Sequence, residues 1–374
     1  MKISGRVVTP GGVVAGEVTV AGDRIEAVTG EPADAAREPA AGDWIVPGFV
    51  DIHVHGGGGA TYTTGDPEQA RKAAGFHLGH GTTTTVASLV TASPDQLYAA
   101  TVGLAPLVAE GVLAGLHFEG PYLSEVRCGA QNPAYLREPS LDELARLHQA
   151  AGGTLRMVTI APELPGALAA IEWLAARGVA VAIGHTDATY DQTRAGVAAG
   201  ATVGTHVFNG MRPPHHREPG PVYGLLSAPE VVCEFIADGV HLHDGTLAFA
   251  AGAAGPGRAA LITDAMAAAG MADGAYELGG QAVTVAGGVA RLVEGGSIAG
   301  STLTMDAALR RAVAAGLSIV DAVRMASTTP ARVLGLADRG ALAPGQRADL
   351  LVLDQTLAVR QVMRAGEWIH REPA

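Results

Sequence analysis

The chain has 374 residues, 48% of them apolar, and a formal net charge of −12. That length suits an enzyme-sized domain with an addition, and the apolar share excludes a disordered chain. The acidic balance argues against a nucleic-acid partner, which needs a basic face, and means that an anionic ligand must be met by a few local cations.

The N-terminus, Met1-Lys2-Ile3-Ser4-Gly5-Arg6, has charged and Gly residues where a signal core would need an apolar run. No stretch reaches the roughly 20 apolar residues of a membrane helix. Two cysteines, Cys128 and Cys233, cannot build a disulfide framework. The expectation is a soluble cytoplasmic protein with no membrane partner.

Residues 1–46 read as short β runs around Gly11-Gly12 and Ala21-Gly22-Asp23, a hairpin signal. Eight short apolar runs follow, at 45–54, 82–90, 113–118, 157–161, 179–184, 202–207, 231–237 and 259–263. Helical stretches lie between them, for example 67–79, 94–110, 141–151 and 189–199. Apolar strands alternating with helices indicate a parallel sheet covered on its faces. Eight units favour a closed α/β barrel of the TIM-like (β/α)8 kind over a doubly wound sheet. The latter would want a phosphate-binding Gly loop opening a helix, and Gly56–Gly59 opens none.

Two segments break the alternation. Residues 211–229 read as a polar loop, and 274–297 as an extra hairpin with Gly279-Gly280 and Gly287-Gly288 as turns. From 338 the β signal returns, with Leu350-Leu351-Val352-Leu353 as a buried strand. Both ends of the chain are then expected to form a small β-sandwich domain, from 1–46 and 338–374, beside a catalytic barrel over 47–337.

The chemistry gathers at the strand tops. His53 and His55 stand two apart in a strand, so both imidazoles point one way. Alone, that pair reads as easily as two ordinary histidines. However, Glu119 ends the third run, His185 the fifth, His206 the sixth and Asp264 the eighth. Scattered residues would not align so, at the end where barrels carry their active sites. His53, His55, Glu119, His185, His206 and Asp264 could together hold one or two divalent metals. Nitrogen and carboxylate ligands without thiolate suit Zn²⁺, and would also accept Mn²⁺, Fe²⁺ or Co²⁺. Such a metal makes a nucleophile of water near neutral pH.

The segments around these residues resemble the amidohydrolase superfamily and, within it, the N-acetylglucosamine-6-phosphate deacetylase family. They are Pro47-Gly48-Phe49-Val50-Asp51-Ile52-His53-Val54-His55-Gly56, Leu116-His117-Phe118-Glu119-Gly120-Pro121, Gly184-His185-Thr186, Thr205-His206-Val207-Phe208-Asn209-Gly210-Met211, Arg217-Glu218-Pro219-Gly220 and Ile298-Ala299-Gly300-Ser301. The likeness spans nearly the whole chain. It implies that Glu119, His185 and His206 bind a principal metal and that His53 and His55 bind a second, with Glu119 bridging. Two ions per chain are therefore favoured. It implies Asp264 as the general acid/base, beside its place at the metal. It also implies that Ala130, Gln131, Asn209, Gly210, His241 and Ile298 contact the substrate, and that Arg217 reaches the substrate phosphate from the neighbouring subunit of a homodimer.

The implied activity is hydrolysis of N-acetylglucosamine 6-phosphate to glucosamine 6-phosphate and acetate, a step of amino-sugar catabolism and cell-wall recycling. Many members carry His where Gln131 stands, so N-acetylgalactosamine 6-phosphate stays open as substrate. A hydantoinase or dihydroorotase would want a bridging lysine after the fourth strand, and Val158-Thr159-Ile160-Ala161-Pro162-Glu163 has none. A deaminase or a D-aminoacylase is a further alternative within the superfamily. A catalytically dead metal- or sugar-binding protein is the alternative outside enzymes, and it would not need Asp264. Other histidines, among them His77, His80, His117, His148, His215, His216 and His243, read first as core or surface residues.

Overall fold

The apolar runs form eight parallel strands in one sheet: Phe49–Asp51, Thr82–Val90, Gly115–Glu119, Leu155–Ile160, Ala180–Ile183, Val203–Gly204, Val232–Ile236 and Ala259–Ile262. Each pairs with the next in chain order, as Leu89 does with Phe118 and Phe235 with Leu261. The eighth meets the first just past the strand ends. There the Asp264 amide donates to the His53 carbonyl at 2.9 Å and the His55 amide to the Ala265 carbonyl at 2.8 Å. Asp51 seals the same seam, accepting from the Thr263 hydroxyl at 2.5 Å. This computed structural model describes residues 1–33 and 42–369, so 34–41 and 370–374 of the expected end segments lie outside it.

The helices start where their caps predict. Asp66 caps Pro67–Gly79, Ser140 caps Leu141–Ala151 and Thr189 caps Tyr190–Ala198, each accepting a first-turn amide. The stretch expected as one helix over 94–110 is two, Pro94–Leu104 and Pro106–Ala109. Pro106 has no amide with which to continue the ladder. The segment 211–229 is not all loop, because Gly220–Leu226 is helical and buries Val222, Leu225 and Leu226. The Pro and Gly residues around it conceal that apolar face in the sequence.

Strands from both termini form one seven-stranded sheet, in the order Glu367–Ile369, Val359–Arg364, Leu350–Leu353, Trp44–Pro47, Lys2–Thr9, Gly12–Ala21 and Arg24–Pro32. It has its own core of Val7, Val18, Ile25, Ile45, Leu350 and Met363. The apolar run 45–54 therefore serves two sheets. Trp44–Pro47 pairs with Leu350–Leu353, and the barrel starts after Gly48. A Cβ at Gly48 would lie 2.2 Å from the Thr83 hydroxyl, so this crossing admits no side chain. After the eighth strand, Gly274–Leu278, Gln281–Ala286 and Val289–Leu292 make a three-stranded antiparallel meander, one strand more than a hairpin. No helix among the described residues is long and apolar enough to cross a membrane.

Candidate metal centre and active site

The six strand-top residues converge. All are buried, and their ligand atoms form two overlapping groups: His53, His55, Glu119 and Asp264, and Glu119, His185 and His206. Glu119 belongs to both. Its Oε1 lies 3.0 Å from His206 Nε2, 3.1 Å from His185 Nε2 and 3.3 Å from His53 Nε2. Its Oε2 lies 3.1 Å from His55 Nε2. Asp264 Oδ1 stands 3.1 Å from His55 Nε2 and 3.5 Å from His53 Nε2.

Each imidazole turns its other nitrogen to an acceptor. His55 Nδ1 faces the Ser88 carbonyl at 3.0 Å, His185 Nδ1 the Arg127 carbonyl at 2.8 Å, and His206 Nδ1 the Asn209 carbonyl at 3.2 Å. His53 Nδ1 faces Glu234 Oε2 at 3.1 Å. These acceptors hold the proton on Nδ1 and leave four Nε2 lone pairs pointing inward. In that tautomer the Nε2 pairs of His53 with His55, and of His185 with His206, each 3.2 Å apart, cannot bond to one another. A cation between them resolves the conflict. Bonds of about 2.0–2.1 Å put tetrahedral zinc ligands roughly 3.3 Å apart, which is the spacing present.

The electrostatics ask for the same positive charge. Burial pushes the His55 imidazole down, but the carboxylates of Asp264 and Glu119 outweigh it and raise it to about 9. Burial opposes protonation of His53 and His185 too, and Glu119 overcomes it there. Asp264 is held below the usual carboxylate range, because His53 and His55 outweigh the burial that would raise it.

The chain accepts strain to build this. His185, His206 and Asp264 have φ of 45°, 25° and 49°, in the left-handed region that costs a side chain on the order of 1–2 kcal/mol. Gly210, also at positive φ, backs His185: a Cβ there would come within 2.9 Å of its Nδ1.

A cavity of about 250 Å³ opens above the ligands. Its walls include Ala130, Gln131, Asn209, Gly210, His241 and Ile298, six residues expected to meet substrate, together with Leu278 and Ser297. Arg217, the seventh, is elsewhere: it is exposed, with Nη1 2.7 Å from His216 Nε2. Gln131 makes one hydrogen bond at each end of its amide. Its Oε1 accepts from the Thr91 amide at 2.8 Å and its Nε2 donates to Glu119 Oε2 at 2.6 Å. It thus braces the shared carboxylate from the cavity wall.

Two carboxylates escaped the sequence reading. Glu234 is fully buried, with Oε2 on His53 and, among the described residues, no partner for Oε1. The one acid inside the apolar run 231–237 was the available signal, since such residues are rarely buried unpaired. Asp238 takes His241 Nδ1 at 2.6 Å. Burial lowers the His241 imidazole, and Asp238 more than restores it. His241 therefore presents Nε2 to the cavity. Three other histidines are accounted for otherwise. His117 is buried between the Ser88 and Thr159 hydroxyls at 2.9 Å each, His77 bonds the Gly56 carbonyl, and His243 caps Asp244–Ala254.

A larger cavity, about 670 Å³, lacks the ligand cluster and is mostly apolar, with Phe208, Tyr223, Leu226 and Phe249 in its walls. Tyr223 is 52% and Phe249 65% exposed, large apolar groups left to solvent by a single chain.

The sequence profile of the amidohydrolase family matches residues 44–369. N-acetylglucosamine-6-phosphate deacetylase of Lysinibacillus sphaericus is 37% identical over 87% of this chain and 85% of its own length. N-acetylgalactosamine-6-phosphate deacetylase of Escherichia coli O157:H7 is 40% identical over 86% of this chain and 87% of its own. Among solved structures, a mutant of N-acetyl-D-glucosamine-6-phosphate deacetylase from Mycobacterium smegmatis, in complex with N-acetyl-D-glucosamine-6-phosphate, superimposes with a TM-score of 0.94 at 48% identity, covering 98% of both chains.

Proposed function

The chain belongs to the amidohydrolase family, and from that footing we propose that it deacetylates N-acetylglucosamine 6-phosphate, releasing glucosamine 6-phosphate and acetate. The observation that carries this reading is the convergence of four inward-facing Nε2 atoms on Glu119, with Asp264 Oδ1 3.1 Å from His55 Nε2. Close relatives by sequence and by shape act on this kind of substrate.

His185, His206 and Glu119 would hold one divalent ion; His53, His55, Asp264 and the same Glu119 would hold a second. Zinc is our choice, at two ions per chain. Bound there, it supplies Lewis acidity toward water and the amide carbonyl. The chain's own residues do the rest. Asp264 takes the proton of the attacking water and returns it to the nitrogen, which leaves only once protonated. His241, set by Asp238, offers Nε2 to the substrate. Ala130, Asn209, Gly210 and Ile298 fix the sugar phosphate so that the amide meets Asp264.

The phosphate needs a cation, and among the described residues no Lys or Arg lines the cavity. Arg127 and Arg212 of the neighbouring loops both pair with Asp187 at 2.8 Å. Arg217 makes no ion pair among the described residues and extends into solvent. We therefore assign it to the phosphate of a second copy, within a homodimer that covers Tyr223 and Phe249. A guanidinium grips phosphate through two bonds at once. Neither cysteine is in a disulfide, which suits a cytoplasmic enzyme.

The 40% identity to an N-acetylgalactosamine-6-phosphate deacetylase favours one second reading, the C4 epimer as substrate. The test is product analysis with both epimers: acetate and free amine in equal amounts, lost on chelation and restored by Zn²⁺. A rate that survives exhaustive metal removal would reject the mechanism.

A further inference from the structure

At the far end of the barrel from the ligands, a cavity of about 190 Å³ lies where the small sheet meets the barrel base. The barrel contributes Thr83, Thr84 and Thr85 at the start of its second strand and residues 111–114 before its third. Arg364 ends Val359–Arg364 of the small sheet, Arg347 precedes Leu350–Leu353, and Arg339 lies in the connection from the barrel. Three guanidiniums thus line one cavity, and no carboxylate among the described residues lines it.

The arrangement is costly as it stands. Burial and the adjacent guanidiniums of Arg347 and Arg339 push the Arg364 guanidinium below its ordinary value, although Asp349 works against them. Protein acceptors use only part of the donor set. Arg339 gives Nε and Nη2 to Asp338, at 2.8 and 3.2 Å. Arg347 gives Nε and Nη2 to Asp349, and Arg364 gives Nη2 to the Gly111 carbonyl. Among the described residues no acceptor engages Nη1 of any of the three, or Nε of Arg364. Thr84, a lining residue only 3% exposed, has a buried hydroxyl that also lacks a partner among the described residues.

We propose that this cavity binds one tetrahedral oxyanion of the phosphate class, which braces the small sheet against the barrel base. A phosphate dianion offers acceptors in several directions at once, which matches guanidiniums arriving from three separate segments. The site is separate from the barrel mouth and does not depend on the activity assigned there. Free phosphate and the phosphoryl group of a small metabolite share this chemistry.

The test uses the zinc-loaded protein at constant ionic strength, with inorganic phosphate and, separately, methyl phosphate as probes. Binding is followed by calorimetry and by Tm. A saturable rise in Tm that chloride does not reproduce is expected. In Arg364→Met and in Arg339→Met the rise is lost and binding weakens at least ~10-fold, with zinc content unchanged. If Arg364→Met fails to fold, Arg339→Met decides, because its protein bonds reach only its own neighbour. Matching responses to both probes admit phosphorylated metabolites, and a response to inorganic phosphate alone identifies the free ion. No rise in the wild type, or one undiminished in the variants, overturns the proposal.

Discussion

His53 Nδ1 lies 3.1 Å from Glu234 Oε2, inside a barrel where the other Glu234 oxygen has no partner among the described residues. Glu234 Oε2 also lies 3.3 Å from the His206 amide, so one buried carboxylate touches a ligand from each metal group. A buried carboxylate is tolerable when the imidazole it orients is itself bound to a cation. Glu234→Gln should fold, yet bind the His53-side metal ~10–100-fold more weakly, the usual scale for such supporting partners. Chelator competition with metal analysis reads this directly. Unchanged affinity at both sites would mean that Glu234 is only a core residue.

His185→Ala and His206→Ala each remove one of three groups around the principal site. Both should lose metal and activity together. A metal-free His206→Ala protein with full activity would contradict the ligand assignment.

Asp264→Asn keeps the size of the side chain and removes the base. Turnover should fall at least ~10²-fold, the lower scale for lost general catalysis. Metal content must be followed alongside, because Asp264 is also a ligand-capable group beside His55. Near-normal turnover at full occupancy would reject its role.

The shared-site assignment of Arg217 is open to complementation. Inactive Asp264→Asn mixed with weakly binding Arg217→Ala should regain part of the activity once subunits exchange, since one hybrid site then keeps both residues. Phe249→Asp, placed in the exposed apolar groove, should shift the protein toward monomer in sedimentation. A monomeric wild type at working concentration would remove this part of the account.

His77 gives an acid-stability prediction with a definite sign. It is fully buried, and burial pushes its imidazole down to about 4, against the hydrogen bond to the Gly56 carbonyl. The unfolded chain takes that proton near 6.5, so unfolding is favoured progressively as pH falls from 6.5 toward 4. Between pH 7 and 5 the wild type should lose about 2 kcal/mol more stability than His77→Gln. Equal losses in denaturant titrations would show that His77 does not carry this linkage.

The barrel and its six strand-top residues were legible because both depend on local pattern: apolar runs at even spacing, each ending in a ligand-capable side chain. What depended on long-range contact was not. Glu234 stood out as an acid in an apolar strand, but its partner His53 is far away in the chain. Nothing local in the sequence ties Gln131 to Thr91 and Glu119, which its amide bonds in the fold. The run 45–54 looked like one strand, since nothing local says that Gly48 must pass against Thr83. The helix Gly220–Leu226 hid among Pro and Gly residues, and the arginine cavity joins segments from opposite ends of the sequence.

The most direct measurement is acetate release by the zinc-loaded chain from N-acetylglucosamine 6-phosphate, N-acetylgalactosamine 6-phosphate and unphosphorylated N-acetylglucosamine, compared as kcat/KM. The account predicts metal-dependent turnover of the 6-phosphates, fastest with N-acetylglucosamine 6-phosphate, and at least ~10²-fold less with the unphosphorylated sugar, because the phosphate holds the amide in register. Metal-loaded protein that releases no acetate from either 6-phosphate would contradict it.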